Sequence, residues 1–217
     1  MARPRKDQNE PLATERIKTA FWCLIADYDF KDITIGMIAQ KACCNRGTFY
    51  YHFQSTDELL SAIVEEELLG PHGLPRDLLL LSCYEERFCI DDFLVQRASR
   101  LGLLMQRAGQ ERIGLQVKSV VIDMWKAILC DGGDCLLPET HIAIEYLVSG
   151  IIGAVDHLYR EDRLNRESLA TVQQISRLFA QTIYVSQGIT REELATRVTM
   201  FVRCLQLNEP DPAPAFA

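Results

Sequence analysis

The sequence predicts an all-α protein in which a small N-terminal three-helix unit precedes a larger helical region. Apolar residues recur at intervals of three and four along most of the chain, which is the period of an amphipathic helix. Alternating apolar and polar runs bounded by turns, which are typical of β-strands, are missing. A Gly/Pro-rich break at 70–75 separates a short first set of helices from a longer second set.

The composition of the 217 residues is that of a globular protein with a sizeable core, with 48% apolar and 24% charged residues. No uninterrupted apolar run approaches the roughly 18 residues that a membrane-spanning helix needs. The polar start, Met1–Pro11, lacks the apolar stretch of a signal peptide. We therefore expect a cytoplasmic protein with no membrane partner.

Charge is distributed unevenly over the chain. The formal net charge is −7, but residues 1–54 carry +2 and residues 55–217 carry −9. Segments whose net charges have opposite signs indicate that the two parts of the chain have different functions. Because affinity for nucleic acid depends on the local surface that meets the phosphates, the acidic remainder does not exclude a DNA partner.

The eight cysteines predict free thiols rather than a metal site or a disulfide framework. No Cys-x-x-Cys occurs, and the spacing of Cys130 and Cys135 suits zinc poorly. We therefore expect no metal and no cofactor.

The first helix is predicted over residues 12–27, after a disordered arm at 1–11. Thr34 is expected to cap a short second helix, and Asn45 a third helix that runs from Arg46 to about Phe53. Ser55 and Glu58 have the spacing of a capping box, so a fourth helix should begin there.

The second helical region is predicted to occupy residues 71–209, after a first domain at 12–70 and before a disordered tail at 210–217. Its helices are expected near residues 76–86, 91–107, 111–130, 138–160, 165–187 and 190–207.

Two short helices joined by a tight turn, with another helix packed behind, predict a helix-turn-helix, whose second helix enters the major groove of DNA. Arg46 is suited to a bidentate contact with guanine or to a phosphate, and Thr48 to a phosphate or a thymine methyl. Tyr50, Tyr51 and His52 offer polar tips to the DNA backbone. The hydroxyl of Thr34, at a helix start, favours a phosphate.

The runs Ile33–Ala42 and Arg46–Phe53, followed by Ser55 and Glu58-Leu59-Leu60, resemble the N-terminal domain of the TetR/AcrR family of bacterial regulators. The resemblance covers roughly residues 14–65. It implies a DNA-binding domain followed by an α-helical ligand-binding and dimerisation domain. The DNA-binding residues that it implies are Thr34, Asn45, Arg46, Gly47, Thr48, Tyr50, Tyr51, His52 and Thr56.

This sequence departs from the family pattern at two places. The family usually has a glycine followed by an apolar residue in the turn, where this chain has Cys43 and Cys44. A cysteine with positive φ would be strained by about 1 kcal/mol. Many members also have a lysine where Thr56 stands. The cysteine pair admits a redox-switch hypothesis, but we favour the interpretation that both are small, half-buried fillers.

The helix at 138–160 is apolar on nearly every side, so we expect it to be buried on every side in a homodimer; the alternative is the centre of a monomer's core. An effector pocket should lie among the neighbouring helices. Its expected lining residues are Met105, Val121, Trp125 and Tyr146, which favours a largely apolar small molecule.

No motif of a phosphate loop, a catalytic serine or a metalloprotease is present, so we do not expect an enzyme. The favoured function is a homodimeric transcription repressor that binds a palindromic operator in double-stranded DNA and is released by an effector. The alternative is a helix-turn-helix relative that acts as a protein-binding coregulator.

Overall fold

The computed structural model describes residues 12–69, 90–130 and 136–207, and every regular element within these ranges is helical. This confirms the predicted all-α class. The helices are α1 Ala13–Asp27, α2 Ile35–Lys41, α3 Arg46–His52, α4 Thr56–Leu69, α5 Asp92–Ala108, α6 Gln110–Leu129, α7 Pro138–Arg160, α8 Arg166–Ser186 and α9 Arg191–Leu207. A 3-10 turn, Phe30–Asp32, precedes α2.

The predicted helix ends lie within one residue of the observed ones in most of these elements, because caps and breakers mark them. The helix predicted near 76–86, the break at 70–75, the arm at 1–11 and the tail at 210–217 lie outside the described residues.

The start of α4 differs in detail from the predicted capping box. The Ser55 hydroxyl accepts a hydrogen bond from the Glu58 amide at 3.1 Å, as expected. The Glu58 carboxylate, however, accepts from the amide of Gln54 at 2.6 Å. The carboxylate thus satisfies an amide one residue before the cap, and α4 begins at Thr56.

Helices α1 to α4 enclose an apolar core that all four supply. Burying each large apolar side chain stabilises the fold by about 1.5–3 kcal/mol. The fully buried members include Ile17, Phe21, Ile25, Ile38, Phe49, Leu59 and Leu60. This core continues without a gap into the buried side chains of α5 to α9, so the two helical regions share one apolar cluster.

Helix α7 packs against α5, α6 and α8. Its contact with α5 is especially close at Gly102, where an added Cβ would lie 2.4 Å from Cγ of Tyr159. The ring of Tyr159 therefore occupies the space that a larger side chain at position 102 would need.

One face of α7 is exposed in the single chain, although its composition predicts burial on every side. Ile142 is 67% exposed and Tyr146 is 65% exposed, and Leu178 of the neighbouring α8 is 77% exposed. By length and composition α7 could cross a membrane, with 28% of its most apolar stretch buried within the protein. Core and interface helices of soluble proteins pass the same test.

Candidate nucleic-acid interface

The turn between α2 and α3 is a Schellman motif that ends α2. The amide of Cys44 donates to the carbonyl of Ala39 at 2.9 Å, and the amide of Cys43 donates to Gln40 at 3.2 Å. These two bonds satisfy carbonyls that the end of a helix leaves free. They form only when the residue just after the helix end adopts the left-handed conformation. That residue is Cys43, with φ at +52°.

The cysteine therefore adopts the strained positive φ rather than altering the turn, and the motif fixes how α3 follows α2. Cys43 is exposed, whereas Cys44 is half-buried and packs against the core. Both are free thiols. Cys44 fills the position where the family usually has an apolar residue.

The start of α3 is fixed by Asn45. Its side-chain oxygen accepts from the amide of Thr48 at 2.7 Å and from the Thr48 hydroxyl at 3.2 Å. Thr34 caps α2 in the same way, accepting from the amide of Met37 at 3.2 Å. Both predicted caps are present.

Helix α3 has a buried side and an exposed side. Phe49 is fully buried, and Phe53 beyond its end is nearly so. The opposite side, which we call the outer face of α3, consists of Arg46, Gly47, Tyr50 and Tyr51, all exposed. Tyr51 is the most open of them, at 84%. An exposed arginine and two tyrosines on one short helix are chemically suited to bind a nucleic-acid backbone or base edges.

Arg46 reaches back over α2. Its guanidinium lies above Gly36, where an added Cβ would be 2.9 Å from the Nη2 nitrogen. The flexible end of the exposed Arg46 side chain therefore lies close to Gly36, an approach that sequence reasoning did not predict. The available signal was a glycine inside a short helix, which costs about 1 kcal/mol and often has a packing reason.

Besides the caps Thr34 and Asn45, two further predicted DNA-contacting residues have hydrogen-bond partners within the described N-terminal helices. The ring nitrogen Nδ1 of His52 lies 3.2 Å from the hydroxyl of Thr14 on α1, and the imidazole stacks edge-on with Tyr51 at 5.0 Å. The hydroxyl of Thr48 is held by Asn45. His52 thus anchors α3 on α1. Thr56 is half-buried at the start of α4.

Two arginines near the turn between α5 and α6 join the C-terminal helices to the helix-turn-helix. Arg112 stacks over the ring of Phe30, with 4.9 Å from Cζ to the centroid, and forms an ion pair with Asp57 at the start of α4. Arg107 pairs with Asp29 at 3.2 Å and donates to the carbonyl of Ala26 at 3.4 Å, near the end of α1.

Helices α4 and α5 are joined by a partly buried ion pair. Glu67 of α4 accepts from Arg100 at 2.5 Å, and the guanidinium of Arg100 lies 4.7 Å from the ring centre of Trp22 on α1. Burial raises the pKa of Glu67 above its ordinary value, and the positive charge of Arg100 opposes this shift. The pair holds α4 between α1 and α5.

A cavity of about 80 Å³ lies behind this junction, among α4, α5, α6 and α7. Of the predicted lining residues, Met105, Val121 and Trp125 belong to its wall. Tyr146 does not: it faces the outer groove between α7 and α8, with its ring 5.3 Å from that of Phe179. The structure thus does not bring Tyr146 together with the other three, because a helix that is apolar all round gives no sign of which side faces inward.

These features define the class of the protein: a helix-turn-helix protein with an exposed arginine- and tyrosine-bearing second helix, joined to a helical region that encloses a cavity. Residues 22–63 match the family described as bacterial regulatory proteins, tetR family. This part of the chain is therefore similar to the bacterial regulatory proteins of the tetR family. No curated protein and no solved structure shows significant similarity to it. The match covers the helix-turn-helix region alone.

We predict that Cys43→Gly makes the protein more stable than Cys43→Ala by about 1 kcal/mol, because glycine takes the left-handed conformation without the Cβ penalty. The alanine variant is the matched control, since it also removes the thiol but keeps the strain. Urea denaturation of both variants measures the difference. Equal stabilities would contradict the strain assigned to this turn.

Proposed function

We propose that this protein is a homodimeric repressor that binds a palindromic operator through the outer face of α3 and leaves it when a neutral apolar molecule enters the cavity. The observation that carries the DNA-binding part is the outer face of α3, a cluster of Arg46, Gly47, Tyr50 and Tyr51 presented to solvent on a helix whose other side is core. The proposed location is the cytoplasm.

The proposed contacts divide into two kinds. Arg46 reads a base edge or grips a phosphate, and Tyr50 and Tyr51 contact the backbone. Asn45 and His52 act mainly by holding α3 in place, since their polar atoms already bond Thr48 and Thr14. The hydroxyl of Thr34 and the start of α4 at Thr56 complete the proposed set of DNA contacts. Gly47 and Thr48 lie where α3 would come closest to the DNA.

The dimer is supported by the exposed face shared by α7 and α8, which we call the α7/α8 face. Its large apolar members are Ile142, Tyr146, Ile175, Leu178 and Phe179. A contiguous exposed patch of this kind marks an interaction site, and isologous pairing would cover it on both copies. Two-fold symmetry would also present two copies of α3 to a palindrome.

Burial in a dimer interface explains the apolar composition of α7 better than insertion into a membrane does. The other sides of α7 pack against α5, α6 and α8, and it carries Asp156, which is 5% exposed and paired with Arg160 at 3.0 Å. A helix that is packed by its own chain on several sides needs only one more partner surface.

Effector control is supported by the position of α4. Its Leu68 lies in the wall of the cavity, and its Asp57 meets Arg112 beside the helix-turn-helix. A molecule that changes the packing around Leu68 can therefore favour one orientation of α4 over another. Release requires that the molecule bind the DNA-incompetent arrangement more tightly than the competent one.

The proposed function predicts that the full chain enriches a palindrome from a random DNA library, with half-sites one helical turn or a multiple apart. Affinity for the selected site should fall steeply as salt rises, because phosphate contacts release counterions.

Arg46→Ala should weaken binding to the selected site by roughly 1–3 kcal/mol, and it should relax the preference at one base pair if Arg46 reads a base. A uniform loss with a shallower salt dependence indicates a phosphate contact instead.

The control is Arg163→Ala, which removes an exposed arginine from the turn after α7 and should leave affinity unchanged. If the library yields no enriched sequence, the repressor proposal is wrong and the protein-binding coregulator becomes the better hypothesis.

The dimer predicts that Leu178→Asp yields a folded monomer, because Leu178 is largely exposed in the single chain and its replacement disturbs only the α7/α8 face. Light scattering coupled to chromatography measures the mass, and circular dichroism checks the fold. The control is Met200→Asp, another largely exposed apolar position, on α9, which should remain dimeric. A wild-type protein that is monomeric at micromolar concentration would contradict the interface.

A further inference from the structure

The described N-terminal helices carry too little positive charge for the DNA contact proposed for them. Residues 12–69, which include α1 to α4, hold five Lys/Arg and nine Asp/Glu, a formal net charge of −4. One of the five cations, Lys18, is already paired with Glu66 at 2.7 Å and with Glu15 at 3.4 Å. Because neutralisation of phosphates supplies a large share of the affinity for DNA, the proposed interface needs positive charge from elsewhere in the chain.

Positive charge is concentrated just before these helices, in residues 1–11, which we call the N-terminal arm. The first six residues of the arm hold three cations, Arg3, Arg5 and Lys6, and no acid. No other six consecutive residues of the sequence hold three cations. A cluster of basic residues at one end of a helix-turn-helix domain is the charge pattern that is typical of a contact with nucleic acid.

The structure places the attachment point of the N-terminal arm beside α3. Leu12, which directly precedes α1, is 69% exposed. Two residues further on, the hydroxyl of Thr14 lies 3.2 Å from Nδ1 of His52, which is the last residue of α3. The ring of Tyr51, from the outer face of α3, packs edge-on against the imidazole of His52. The arm therefore joins the domain next to the C-terminal end of the outer face of α3.

From this position the arm can reach the groove next to the one that α3 would occupy. A recognition helix contacts bases with its N-terminal residues, so the end of α3 at His52 would lie towards the phosphate backbone that borders the major groove. An extended chain spans at most about 3.3–3.6 Å per residue, so Lys6 can lie up to roughly 20 Å from Leu12, and Arg3 up to roughly 30 Å. The major groove is about 12 Å wide and the minor groove about 6 Å. The arm is thus long enough to cross one backbone strand.

We propose that the N-terminal arm binds the minor groove of the operator, beside the major groove that α3 occupies, and that Arg3, Arg5 and Lys6 supply the positive charge that the described helices lack. The inference rests on the proposed DNA-binding function and adds a second DNA contact to it. Arginine is attracted into the narrow minor groove of A·T-rich DNA, where the negative potential is enhanced. The arm should therefore add a preference for A·T pairs at positions that α3 does not read.

The test compares the wild-type chain with an arm variant in which Arg3→Ala, Arg5→Ala and Lys6→Ala are combined. Each protein selects DNA from a random library, and the affinity of each for the duplex that the wild-type protein selects is measured over a range of salt concentrations. The slope of log affinity against log salt should be shallower for the arm variant by about 2 to 3 for each bound chain, since one neutralised phosphate contributes about 0.9. Arg3→Lys combined with Arg5→Lys keeps the charge and is the matched control, in which the slope should not change.

The groove is identified by replacing base pairs in the selected duplex. The wild-type protein should enrich A·T pairs at positions where the arm variant enriches no base. At those positions an inosine·cytosine pair has the minor-groove pattern of A·T but the major-groove pattern of G·C, because inosine lacks the N2 amino group of guanine. The wild-type protein should bind the inosine·cytosine duplex as tightly as the A·T duplex and the G·C duplex about fivefold or more weakly. The arm variant should bind all three duplexes alike.

An arm variant with the slope and the base preference of the wild-type protein overturns the inference. A shallower slope with the A·T preference retained also overturns it, because the arm would then contact phosphates alone. If the arm variant binds too weakly to be measured, Arg3→Ala and Arg5→Ala are tested singly, and each should reduce the slope by about 0.9. A wild-type protein that enriches no sequence overturns the proposed function together with the inference, whereas a failure confined to the arm leaves the repressor proposal standing.

Discussion

The contact of Arg112 with both Phe30 and Asp57 is the constraint on which the arrangement of the molecule depends. Phe30 lies in the 3-10 turn before α2, and Asp57 lies in the first turn of α4, so one guanidinium holds the elements on both sides of the helix-turn-helix. The charge pair is partly exposed and contributes little alone. Its stacking on an aromatic ring adds about 0.5–1 kcal/mol and fixes the orientation of the planar group.

Helix α4 then links two sites that are far apart in the chain. Its first turn bonds Arg112, its middle supplies the carbonyl of Ser61 to the side chain of Gln116 at 3.0 Å, and its end places Leu68 against the cavity. Glu67, held by Arg100, limits how α4 can rotate. Under the proposed function, a helix fixed at both ends by polar contacts would transmit a change in packing at the cavity as a movement of the whole element.

The inner cavity and the outer face of α3 also contrast in chemistry. The cavity is lined almost entirely by apolar side chains. The outer face of α3 carries the groups proposed to contact DNA, yet the chain around it has little positive charge. Under the proposed function, specificity rests on a few well-placed groups such as Arg46.

Most of the fold was predictable from the sequence because strong 3.6-residue periodicity and capping residues such as Asn45 act locally. The inward positions of Met105, Val121 and Trp125 followed from the same periodicity. The orientation of Tyr146 did not, since α7 is apolar on every side and only the packing of its neighbours decides which side is inner. The contacts of Arg46 with Gly36 and of His52 with Thr14 depend on how separate helices meet, which no local pattern encodes.

The measurement that tests this account most directly is amide hydrogen exchange of Arg112→Ala against the wild-type protein. If Arg112 holds the helix-turn-helix on the C-terminal helices, the amides at the start of α4 and around Ile33 exchange roughly tenfold faster in the variant, while those in α8 are unchanged. Unchanged exchange at the start of α4 would contradict the account, because the link between the cavity and the DNA-binding helices would then not depend on this contact.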